Sequence, residues 1–275
     1  MTTVDLRPLS LGEVLDRTFS LYRQHFVLFV ALAGIPRLPV TLLSLVQLWL
    51  PSAVNMSSIL TMVVFYIALF VAAIAGYLLA QGGTVLAVSE LYLGRPADVA
   101  TTLRRVVDDM FSLLGVVILS GLAIGAATIL LIIPGIYVAC RLLACVPVAV
   151  IEKKGPGESL SRSFNLTQGF AGRAFVVMLF YFAVAIGLST LVVLPITLII
   201  AANANNPDVV RSWASVQTVL SAIAEALLTP IVLIATSIFY YDLRVRKEAF
   251  DLQVMMDPEG ANIPRAQLRS VVPEQ

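Results

Sequence analysis

The chain has 275 residues, of which 59% are hydrophobic and 13% charged, with a formal charge of +1 at pH 7 and a mean hydropathy of +0.93. This is far too apolar for an ordinary soluble domain. With no basic cluster interleaved with aromatics, nucleic acid is excluded as a partner, and the composition leaves a multi-span membrane protein.

The first element is amphipathic. Ser10 and Glu13 form a Ser-x-x-Glu capping box, with Leu9 and Val14 at the positions of a hydrophobic staple, so a helix is predicted over about 10–25. Leu11, Val14, Leu15, Phe19, Tyr22 and Phe26 recur at helical spacing, and Glu13, Asp16, Arg17, Ser20, Arg23 and Gln24 take the other side. Beside a spanning segment, such a helix is expected to lie in the membrane interface. These opening residues are too polar for the apolar core of a signal peptide, so no cleavage is expected.

Apolar runs of spanning length follow at about 26–50, 59–93, 111–133, 135–151, 174–202 and 214–241, which predicts an all-α bundle of six transmembrane helices. The step Ile133-Pro134-Gly135 is expected to reverse the chain between the third and fourth. If the N-terminus is inside, all of the 18 Lys and Arg fall in inside segments except Arg37 and Arg141, within spans, and Arg211, in an outer loop. That bias predicts both termini in the cytoplasm. Residues 1–248 then form the membrane domain, and 249–275 a flexible cytoplasmic tail.

The opening pattern recurs. "RPADVATTLRRVVDDMF" sets Pro96, Leu103 and Arg105 at the offsets of Pro8, Leu15 and Arg17, and "GPGESLSRSFNLTQGF" repeats the Leu-x-Arg step as Leu160 and Arg162. Further interfacial helices are therefore predicted at about 97–109, with Val99, Leu103, Val106 and Met110 in line, and at 157–168, with Leu160, Phe164 and Thr167 in line. Each precedes two spans, which suggests three units of interfacial helix plus transmembrane hairpin.

The stretches "LRPLSLGEVLDRTFSLYRQHF", "SELYLGRP", "PGIYVACRL", "SLSRSFNLTQG" and "FYYDLRVRKEAFDL" together resemble the glycerophosphoryl diester phosphodiesterase membrane-domain family, prokaryotic six-span proteins, from about Leu6 to Leu252. The one departure noted is Phe164, where the family commonly has Trp. The resemblance implies the membrane architecture and a prokaryotic inner membrane. It implies no activity, because the label comes from members fused to a soluble phosphodiesterase domain, which has no counterpart in this sequence.

No catalytic constellation is visible. His25 is the sole histidine, which rules out a two-histidine metal site and leaves a Ser-His pair resting on one residue at the membrane boundary. Tyr241-Asp242 has no Gly-x-Gly-Asp partner to complete an aspartyl dyad, so Asp242 reads as the polar end of span six. Cys140 and Cys145 stand about 140° apart on one helix and cannot bridge, so they read as packing residues. A non-enzymatic protein is expected, with no metal and no cofactor.

Charge in the apolar runs is the remaining oddity. Arg37, Gln81, Arg141 and Glu225 fall near mid-membrane depth, where an ionisable group costs at least ~2.5 kcal/mol and therefore faces a partner or a wet cavity. Paired, these residues would hold the hairpins in register. Unpaired, the two arginines against one glutamate would suit an anion. The expected role is a membrane module that binds lipid or organises partner proteins, with a small-solute or lipid transporter as the alternative. The residues say nothing about oligomeric state.

Overall fold

The computed structural model describes residues 7–49 and 56–248. The proposed tail at 249–275 and part of the first outer loop lie outside the described residues. Of the described residues 89% are helical and none lies in a strand. Among them, six helices are long and apolar enough to cross a membrane: Phe26–Leu48, Ile59–Tyr92, Met110–Leu130, Ile132–Glu152, Ala171–Ala202 and Pro207–Glu248. The protein is an all-α integral membrane protein.

The first helix, α1, spans Leu11–Gln24. Its capping box is closed in both directions, with the Glu13 N–H donating to Ser10 Oγ at 3.2 Å and the Ser10 N–H to Glu13 Oε2 at 2.6 Å. Leu9 and Val14, the staple pair, are both buried. Span one is broken: α2 (Phe26–Gly34) passes through a 3₁₀ turn, Ile35–Arg37, into α3 (Leu38–Trp49). Pro36 and Pro39 remove two N–H donors there, which is the physical reason for the tightened turn. Span two is the unbroken α4 (Met56–Tyr92), and α5 (Val99–Asp108) follows it, capped by Asp98, whose side chain accepts from the Thr101 N–H at 3.1 Å.

Spans three and four are α6 (Met110–Leu130) and the pair α7 (Ile132–Arg141) and α8 (Cys145–Glu152). The reversal falls at Leu131, in extended conformation, and not at the expected Pro134-Gly135. Pro134 instead lies in the first turn of α7, where a missing N–H costs no helical hydrogen bond. Gly135 serves a different purpose, since a Cβ there would lie 2.1 Å from Thr128 Oγ1 of α6. Next come α9 (Pro156–Thr167), then α10 (Ala171–Leu188), a π turn at Ser189–Val193 and α11 (Leu194–Ala202) as span five, and last α12 (Pro207–Glu248). The π turn comes just before Pro195, which has no N–H for the preceding turn.

The spans form two rings. The even-numbered ones, α4, α7–α8 and α12, touch one another at the centre, and each odd-numbered one packs between two of them: α2 on α4 and α12, α6 on α4 and α8, α10 on α7 and α12. The short helices follow the same order. Helix α5 docks on α4, α9 on α8, and α1 closes the ring on α12. Their burial is in register: relative to the Leu-x-Arg steps, Val14 and Thr18, Thr102 and Val106, and Ser159 and Ser163 occupy matching positions, and all are buried. These faces are therefore covered by protein, and only the flanking residues such as Phe19, 44% exposed, are left for the interface.

Candidate functional site

Two polar assemblies stand out, one at the collar of short helices and one deep between the spans. The collar assembly centres on α12. Asp242 is wholly buried and accepts from the Leu9 N–H (2.7 Å), from Arg173 (2.9 Å) and from Arg246 Nε (3.0 Å to each oxygen). Arg173 and Arg246 also donate to the Leu9 carbonyl. One carboxylate thus ties the entry to α1, the start of span five and the end of span six together.

A second carboxylate does the same on the neighbouring side. Glu152, at the end of α8, accepts from Arg162 Nε of α9 at 3.0 Å and from the Tyr240 hydroxyl at 2.9 Å, and pairs with Lys154 at 3.1 Å. Arg162 also pairs with Glu248, which is held by Arg244. Tyr241 shares a hydrogen bond with Ser89 of α4 at 2.8 Å and stacks on Tyr92 with ring centroids 4.8 Å apart. The arginines of the repeated Leu-x-Arg step have comparable partners: Arg17 donates to Tyr92, Arg105 to Glu90 and Arg162 to Glu152, each at the collar end of an even-numbered span.

The deeper assembly is smaller than the sequence suggests. Arg37 and Glu225 form an ion pair between spans one and six. Their neighbourhood is made by close approach, with Gly34 facing Ala226 and Gly76 of α4 set against the Pro36 carbonyl. Gln81 joins neither charge. Its Nε2 donates to the Tyr77 hydroxyl one turn away on α4, and its Oε1 is buried with no partner among the described residues, as is Thr84 Oγ1 one turn further on.

Arg141 belongs elsewhere, which corrects its expected place in a four-residue layer. Span four breaks at Leu142–Ala144, and the guanidinium turns to α9, donating to the Phe164 carbonyl (2.5 Å) and Thr167 Oγ1 (3.1 Å) and to Tyr137 OH (2.7 Å). The Phe164 and Tyr137 rings lie within 5.5 Å of it. Ser163 and Thr167 donate to the Arg141 carbonyl freed by the break. Nearby acceptors and rings solvate the charge locally, so it has no need of a partner across the bilayer.

No family model, curated protein or solved structure matches the chain.

The exposure of the Arg37–Glu225 pair is the most informative quantity. The two side chains are 41% and 34% exposed, although they sit on facing helices. On α12, Val216 and Ile223 are exposed to the surroundings, and at about 100° per residue they lie roughly 160° to 180° round the helix from Glu225. The pair therefore lies on the side of α12 turned towards span one, away from its most exposed apolar residues. Burial is sparse around it: over 38–48, 59–75 and 207–229 no residue is buried, while Pro230 to Leu243 of α12 are buried almost continuously.

Sequence reading missed the collar hub. The Asp242 to Arg246 spacing of four residues was available as a signal, but Leu9 and Arg173 come from far along the chain. Among the described residues no group of three His, Cys, Asp or Glu side chains is arranged to hold a metal ion, and Cys140 and Cys145 are both buried thiols.

Proposed function

We propose that this protein is a non-enzymatic module of a prokaryotic cytoplasmic membrane that binds lipid between its spans. The observation that carries this is the partly exposed Arg37–Glu225 pair, at the edge of the half in which spans one, two and six bury no residue over 38–48, 59–75 and 207–229. A gap between apolar helices inside a bilayer fills with lipid chains, because water there would leave apolar walls solvated. Lipid completes the packing that the protein omits. The collar, rich in Lys and Arg, is assigned to the cytoplasmic side, with both termini there. Membership of the glycerophosphoryl diester phosphodiesterase membrane-domain family is part of the same proposal, and rests on the quoted stretches.

Native mass spectrometry of detergent-washed protein tests the lipid reading. Retained lipid is expected, and Ala222→Trp, which adds bulk one turn from Glu225 on the same side of α12, should reduce it several-fold. Complete delipidation with no loss of thermal stability would refute the reading. Cysteine labelling tests the orientation: Asn205→Cys should react with an impermeant thiol reagent from outside, and Glu158→Cys should not. The transporter reading is favoured by one feature, the breaks in spans one, four and five, since discontinuous helices often line translocation paths. Solute flux in proteoliposomes would establish it.

A further inference from the structure

The charge balance at the deep site narrows what it can hold. With Arg141 withdrawn to α9, the site contains one cation and one anion, and the surplus positive charge that would suit a simple anion is gone. Neither charge is used up. A guanidinium carries five N–H donors in a planar fork, and among the described residues that of Arg37 meets a single side-chain acceptor, Glu225. A carboxylate has about four acceptor positions, so Glu225 also keeps capacity for a second donor. Both side chains are partly exposed, and an unsatisfied charge at this depth is costly.

An anion alone would compete with Glu225 for Arg37, and a cation alone would compete with Arg37 for Glu225. A ligand carrying both charges competes with neither, because its anionic group takes the spare guanidinium donors while its ammonium takes the spare carboxylate positions. We infer that the Arg37–Glu225 pair is a recognition site for a zwitterion with an ammonium and a phosphate or carboxylate a few atoms apart. This inference rests on the lipid-binding reading and names the headgroup class. Phosphoethanolamine on a lipid has this chemistry, and so does a free amino acid.

The full chain reconstituted in nanodiscs of equal phosphatidylethanolamine and phosphatidylglycerol distinguishes these sources. Native mass spectrometry after detergent extraction should find phosphatidylethanolamine retained over phosphatidylglycerol by about tenfold, the scale of one charge-assisted hydrogen bond. Glu225→Gln should reverse the preference towards phosphatidylglycerol. The exchanged pair, Arg37→Glu with Glu225→Arg, should keep the wild-type preference, and as it restores both charges it guards against simple misfolding of the single variant. If retention shows no preference but glycine raises the unfolding temperature of wild type and not of Glu225→Gln, the zwitterion is a soluble one and the inference stands. Equal retention of both lipids with no glycine effect overturns it, and leaves the lipid-binding reading intact provided that lipid is retained at all.

Discussion

The two halves of the bundle obey different rules. At the collar, the inner spans are buried on all sides and their ends are bound by a network around Asp242 and Glu152. In the other half the same helices run on with no buried residue over 59–75 and 207–229, tied to the odd-numbered spans by exposed side-chain bonds such as Gln47 to Tyr66 and Gln217 to Thr197. Both halves are built from apolar helices of the same spans. The difference shows that hydrophobicity places helices in a membrane without bringing them together, because lipid solvates an apolar surface as well as another helix does. What draws the collar tight is polar: charges that need partners and hydroxyls that cap broken backbone.

The strongest challenge to this contrast is Asp242→Asn. It takes from Arg173 and Arg246, themselves 23% and 24% exposed, the fully buried carboxylate that they share, and a loss of up to roughly 3 kcal/mol in unfolding free energy is expected in detergent. A loss below about 1 kcal/mol, the scale of a surface pair, would mean that the collar is not held by this carboxylate.

At the border of the halves, Gly76→Ala would set a Cβ 2.6 Å from the Pro36 carbonyl oxygen. Backbone must move to admit it, at a cost of about 1 to 3 kcal/mol. Gly121→Ala and Gly125→Ala, on the outer half of α6 with nothing within 4 Å, should be neutral or stabilising by up to about 1 kcal/mol. Thermal unfolding of the three variants checks whether the border lies where it is drawn.

The Arg37–Glu225 pair should couple more weakly than the collar. Because both side chains are partly exposed, a double-mutant cycle with Arg37→Gln and Glu225→Gln is expected to give about 1 to 2 kcal/mol. Strict additivity would show that the two charges do not interact.

The smallest effect is a pH response at the start of α1. The Ser10 backbone N–H, then the Ser10 hydroxyl and the Arg7 guanidinium, hold Glu13 down from its ordinary 4.5 to about 2. A depressed carboxylate contributes stability above its unfolded pKa and loses it as pH falls through the folded one. Protection of the Ser10 and Glu13 amides, taken relative to their intrinsic exchange rates, should therefore be full above about pH 5 and fall between about 4.5 and 2. Protection that does not change over that window would mean that the capping box is not formed in solution.

Much of the fold is legible in the residues because its causes are local. The capping box at Ser10 and the apolar runs each need only a few neighbours, and the six spans were predicted in order, with ends that differ by several residues. The site was less legible. Depth along a span placed Arg37 and Glu225 together but also admitted Arg141, since depth is counted on an unbroken helix and the break at Leu142–Ala144 cannot be read from Cys140-Arg141-Leu142. The hydroxyls that capture Arg141, Ser163 and Thr167, are visible as a four-residue step on α9, but nothing in the sequence says which backbone they will meet. The Asp242 hub fails for the same reason, with partners 233 and 69 residues away.

That first separation has a consequence for how the molecule is made. Helix α1 emerges before any of the six spans, yet its docking surface on α12 is made only after the other five. During the whole of translation its apolar face must be held elsewhere, and the bilayer surface is the available place. Closure onto Asp242 is then a non-local step that comes after α12 is inserted, and such steps are slow because the loop between the partners must be ordered before any contact rewards it. Helix α1 is thus seated only once α12 is in place.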